Sequence, residues 1–159
     1  MPHSHALPDT SRGTTLSRWV IAGFLSGAVS VLIFHQGAVA IFHALAFTSR
    51  QPWVMQATAP FGVPQVWSLA FWGGVWGVLL AVLLARLETA RFLVAATLFG
   101  AVLPTLVAWF VVAPLKGQPL GGGFAPAGIA LALVANGLWG LGTGIGLALF
   151  GRAPRLTRR

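Results

Sequence analysis

The sequence predicts an all-α membrane protein, a four-helix transmembrane bundle made of two parallel-repeated helical hairpins. Three observations predict it. Four stretches without a charged residue, 19–47, 66–85, 92–113 and 127–150, divide the chain. About 20 apolar residues at 1.5 Å each cross the roughly 30 Å hydrocarbon layer as a helix. The chain is 57% hydrophobic and 8% charged, where soluble domains carry about 25% charge. Short motifs of the first half also return in the second. None of the stretches alternates like a barrel strand, and a helix satisfies its own backbone in lipid.

Residues 18–151 therefore read as one membrane domain. A polar tail, 1–17, is expected to be disordered and cytoplasmic, and 152–159 forms a short basic tail. His3 and His5 lie in the first tail, but Pro2 lacks the amide N–H that terminal copper sites use. The chain has no cysteine, which removes disulfides and thiolate metal sites. No metal and no cofactor is expected.

The first span contains Ala44-Leu45-Ala46, a cleavage-like triplet. A signal core runs only about 7–15 apolar residues, so the longer stretch 19–47 reads as an uncleaved anchor. Charge sets the orientation. Arg12, Arg18, Arg86, Arg91, Arg152, Arg155, Arg158 and Arg159 fall on the side of the termini, and only Arg50 and Lys116 on the other. The positive-inside rule puts both termini in the cytoplasm. Reporter fusions at Arg159 and in the loop 57–60 should report opposite sides; a C-terminal reporter active outside the cytoplasm would refute this. The net charge of +8 serves topology, and no basic, aromatic-lined groove points to nucleic acid. Trp19 is expected at the inner boundary and Trp53, Trp67 and Trp109 near the outer one; Trp72, Trp76 and Trp139 lie deeper.

Spans 2 and 4 each follow a proline, Pro64 and Pro126, suited to a first helical turn. Ser26-Gly27-Ala28-Val29 returns as Phe99-Gly100-Ala101-Val102, and Gly74-Val75-Trp76-Gly77 as Gly137-Leu138-Trp139-Gly140. Two hairpins that enter and leave on one side are related by an axis along the membrane normal. Spans 2 and 4 are then expected beside that axis. Span 3 carries Pro104, which should kink it near 100–103, with Thr105 able to bond a freed carbonyl.

Small residues line ridges at four-residue spacing: Gly23 and Gly27 beside Ala22, Ser26 and Ser30; Gly73, Gly77, Ala81 and Ala85; Gly140 and Gly144. Close backbone approach, not burial, drives helix association in lipid. The ridges serve packing within the chain or, at one face, a homo-oligomer. The polar residues at depth are His35, Gln36, Thr105 and Asn136, expected as a midplane hydrogen-bonded cluster. His43, Ser68 and Thr143 are secondary. His35 and His43 share one span, so they do not face each other as haem ligands must. The long loops, with Pro60-Phe61-Gly62-Val63-Pro64 and Gly121-Gly122-Gly123, are apolar enough to fold back over the bundle.

On Phe34-His35-Gln36 and the segments 59–64, 68–74, 114–117, 121–123 and 136–144, the chain resembles a family of small four-span bacterial inner-membrane proteins without assigned function. The resemblance implies a bacterial inner-membrane location and no chemistry. The inventory of reactive groups is poor for an enzyme: both acids, Asp9 and Glu88, lie outside the spans. The sequence reads as a structural or accessory membrane subunit, self-associating or part of a larger complex in the lipid bilayer. The alternative is a small oligomeric transporter or channel lined by the polar cluster.

Overall fold

The computed structural model describes residues 10–85 and 87–150, with side chains from 17 onward. Residues 1–9 and 151–159 lie outside the described residues, as does Arg86. The first span is α1 (Thr10–Ser30), a π-helical turn (Val31–His35) and α2 (Gln36–Ala44). Helix begins at Thr10, so the end of the stretch expected to be disordered is helical: a helix nucleated by the apolar run extends at little cost. It ends at Ala44, not 47. Ala46 adopts a left-handed φ of 58°, Phe47 N–H bonds Phe42 O at 2.9 Å and Ala46 N–H bonds His43 O at 3.0 Å. This Schellman stop is sealed by the Phe42–Phe47 ring contact.

A two-residue ladder, β1 (Ala57–Thr58) with β2 (Val63–Pro64), interrupts the first long loop. The second span is α3 (Gln65–Leu84). The third is α4 (Thr89–Val107), a π-helical turn (Ala108–Val112) and α5 (Ala113–Leu115). After a 3₁₀ turn (Leu120–Phe124) the fourth span is α6 (Pro126–Phe150). All four are long and apolar enough to cross a membrane, at 28, 20, 27 and 25 residues. The protein is an all-α four-helix bundle and reads as a multi-pass membrane protein. Helix runs on through Pro104; the irregular turn comes four residues later, where Ala108 N–H points to the carbonyls of Pro104 and Thr105.

Each hairpin closes by the same crossing. A Cβ on Gly27 would strike the Gly73 carbonyl, and one on Gly77 the Gly23 carbonyl. In the second hairpin a Cβ on Gly100 would strike the Asn136 carbonyl, and one on Gly140 the Ala96 carbonyl. These positions correspond under the sequence repeat: 27 with 100, 23 with 96, 73 with 136, 77 with 140. The same backbone approach thus recurs in both halves, and the first helix of each hairpin carries a π-helical turn toward the loop end. The ridges read as candidate dimer faces, Gly73–Gly77 and Gly140–Gly144, are consumed inside the chain: Gly144 packs on Ala96 and Leu93.

The repeat is not symmetric across the middle. The expectation of spans 2 and 4 at the axis is corrected: α1 packs broadly on α6, whereas α3 barely touches α6 or α4. Side-chain size explains this. Ser26 and Ser30 of α1 sit against Gly146 and Gly142 of α6. The repeat equivalents on the other side are Phe99, Leu103, Leu83 and Leu79, too large for the same approach. There the space between α3 and α4 is bridged by an edge-to-face contact of Trp76 and Phe99, 6.0 Å between centroids.

The tryptophans divide in a way their depth did not foretell. Trp19 is 7% exposed and its indole N–H donates to Ala81 O at 2.8 Å. It locks α1 to α3. Trp72, deep in its span, is 57% exposed and faces outward.

Candidate functional site

Two levels of the bundle hold its buried polar groups. The first lies where Gly27 crosses the middle of α3. Trp139, from the Gly-Leu-Trp-Gly repeat of α6, is its hub. Its indole N–H donates to Gly27 O at 2.9 Å. Its carbonyl accepts from Ser30 Oγ at 2.7 Å and from Thr143 Oγ1 at 2.8 Å. Thr143 is fully buried and satisfied within its own helix. This belt ties the two central helices. The sequence signal was present, since Ser30 lay on the small-residue ridge of span 1 and Trp139 in a repeated motif. Neither was singled out as a pair, because only tertiary contact shows which helix faces α1.

The second level holds His35, Gln36, Thr105 and Asn136. Ser26 and Ser30 face Gly146 and Gly142, and the same antiparallel register brings Gln36 level with Asn136. The four do share a depth, but they form no single cluster. Asn136 Nδ2 donates to Thr105 Oγ1 at 2.8 Å, joining α6 to α4. Gln36 Nε2 meets His35 Nδ1 at 3.4 Å on the other side. Among the described residues no hydrogen bond connects the two pairs. Thr105 is 1% exposed and accepts from Asn136 where a bond to a carbonyl freed by Pro104 was expected.

Gln36 lies nine residues beyond Gly27, about 13 Å along the axis, which matches the first turn of α3. With 20 residues α3 is the shortest of the four spans, and it begins at this level. The first span runs past α3 by two turns. His43, another seven residues on, is farther out still and is not level with Ser68 of α3; its Nδ1 lies 3.2 Å from Thr48 O.

The first long loop completes this level. It turns back along α2, as its apolar composition suggested. Trp53 N–H donates to Gln36 Oε1 at 2.7 Å, and Trp53 Nε1–H to Leu32 O at 2.9 Å. The π-helical turn frees that carbonyl: Gln36 N–H bonds Val31 and Ile33 instead of Leu32. Trp53 takes a left-handed φ of 49°, a strained choice for a bulky residue held by those two bonds. The loop is then pinned to the start of α3 by Val66 N–H to Val54 O at 3.0 Å and Gln65 N–H to Gln56 O at 2.9 Å. Trp53 is the residue that sequence reasoning missed at this site. The second long loop turns through Gly121, Gly122 and Gly123, all at positive φ, and folds Phe124 onto Trp109 and Phe110.

Among the described residues no three His, Asp or Glu side chains come together. Compared with known proteins, the chain matches no family model, no curated protein and no solved structure.

Proposed function

We propose that this integral membrane protein is a structural or accessory subunit that self-associates in the bilayer. The observation that carries the reading is the filled interior: Leu80, Ala81, Ala96, Thr143 and Leu147 are sealed and the helix backbones touch at the glycine crossings. Among the described residues no line of polar groups runs from one end of the bundle to the other, which disfavours a single-chain conduit. A bacterial inner-membrane location with both termini cytoplasmic belongs to the same proposal and rests on the charge asymmetry.

The neighbour is a second copy, seated in the groove between α1 and α6. Leu25, Val29, Ile145 and Leu149 form its rim, and Ser26 and Gly146 lie in its floor. Ser26 Oγ is buried without a hydrogen-bond partner. That atom is enclosed against Gly146 within the chain, so a second copy related by a two-fold axis along the membrane normal meets the rim residues and not Ser26. Val29 is half exposed, so Val29→Trp fills the groove without disturbing the interior. The variant is expected to lower the particle mass from oligomer to monomer in detergent while leaving the melting temperature within a few degrees. A monomeric wild-type protein would refute self-association. Solute or proton flux into proteoliposomes above that of empty vesicles would favour an oligomeric transporter or channel.

A further inference from the structure

We propose that Trp53 is a register latch. It holds α2 one residue out of step with α1, and its release lets the first span relax into one continuous α-helix. Two donors compete for a single acceptor. In an α-helix the Gln36 N–H would bond the carbonyl four residues back, Leu32 O. Here that N–H goes to Val31 O and Ile33 O, and Leu32 O accepts the Trp53 indole N–H at 2.9 Å. Without the indole this carbonyl stands unbonded, which is costly away from water. Closing the α-helical bond satisfies it again.

A π-helical turn holds one more residue than an α-helical turn. Closing it therefore moves each residue of α2 into the place its successor holds now. Ala38 and Val39 pack with Leu131 and Ala135, and Phe42 lies against them; Gly37, Ala38 and Ile41 would take those three places. Both sets are apolar, and the bulkier one is seated while the latch is closed, which favours the π register. His35 would take the place of Gln36. Its ring can accept the Trp53 backbone N–H, which Gln36 Oε1 now accepts at 2.7 Å. Trp53 stands at a left-handed φ of 49°, a strain that its two bonds offset and that release removes. The loop and the bundle are thereby coupled. A partner that draws the loop away from α2 turns α2 by one residue, about 100°, against α6. Two discrete registers make this a switch and not a gradual deformation.

The test uses the full chain in detergent, which has no native cysteine. Ala135→Cys is combined with Ala38→Cys or with Gly37→Cys and oxidised. In the wild-type background the Ala38 pair is expected to form a disulfide. The Gly37 pair is not, since nothing lies within 4 Å of the Gly37 Cβ position. Trp53→Phe keeps an aromatic ring and deletes the indole donor. It is expected to raise the crosslinked fraction of the Gly37 pair about fivefold, while the Ala38 pair still forms and reports an intact bundle. An unchanged pattern in Trp53→Phe would overturn the latch. Deletion of Leu32 supplies a second measurement. It removes the surplus residue together with its carbonyl and makes the Gln36 to Val31 bond an ordinary α-helical one. The deletion variant is expected to melt cooperatively. Trp53→Phe should lower the melting temperature of the full chain by several degrees and leave that of the deletion variant unchanged. Equal lowering in both, or a deletion variant without a cooperative transition, would overturn the proposal.

Discussion

Gly27→Leu is expected to prevent the first hairpin from closing. The new Cβ would stand on the Gly73 carbonyl and 3.0 Å from the Gly77 Cα. Both obstacles are backbone, so no rotamer relieves them, and α1 and α3 must separate along their whole contact. Overpacking where side chains can adjust costs about 1–3 kcal/mol; here the cost should lie at or above the top of that range. The Trp19 to Ala81 bond joins the same two helices and should weaken with it. In detergent the variant should lose cooperative thermal unfolding or melt far below the wild type. Gly140→Leu should do the same to the second hairpin, because its Cβ meets the Ala96 carbonyl in the equivalent place. Gly37→Leu is the control: nothing lies within 4 Å of its Cβ position, and it should melt like the wild type. A cooperative, unshifted transition in Gly27→Leu would mean that the crossing does not exist.

Trp139→Ala is expected to have the next largest effect, by releasing α6 from α1. The side chain is 2% exposed and supplies the only indole donor to the Gly27 carbonyl among the described residues. Large-to-small changes of buried aromatics cost about 3–5 kcal/mol in water. The lower end applies in lipid, where a separated helix keeps its apolar faces covered. Trp139→Phe separates the two contributions. It keeps most of the packing and deletes the donor, so it should cost about 0.6–1.7 kcal/mol, from the average to the largest value for intramembrane hydrogen bonds. Urea or SDS titration of both variants reads the difference. Equal losses in the two would place the whole effect in the hydrogen bond and none in packing.

Which residues matter at the polar level was legible only in part. His35, Gln36, Thr105 and Asn136 stood out because polar side chains are conspicuous in apolar spans, and their common depth followed from counting. That they form two pairs was not legible. Sequence position gives the depth of a helical residue, but its facing depends on where the neighbouring helices stand. The π-helical turn at Val31–His35 also shifts the register beyond it by a residue, which no propensity foretells. Trp53 was hidden for another reason: it lies in a loop, and loops are placed by tertiary hydrogen bonds such as those to Gln36 and Leu32.

The sequence by itself determined the number of spans, because the hydrocarbon layer demands a run of apolar residues that any reader of the chain can count. It also determined the pairing of span 1 with span 2 and of span 3 with span 4. Each repeat unit is one hairpin, and glycines four residues apart mark where two backbones can meet. Only the tertiary structure decided how the hairpins dock. Lipid is as apolar as a protein core, so a span carries no hydropathy contrast between its buried and its lipid-facing side. The choice of α1 against α6 was made by shape: two serines facing two glycines on one side, and on the other the Trp76 and Phe99 rings filling the space between α3 and α4.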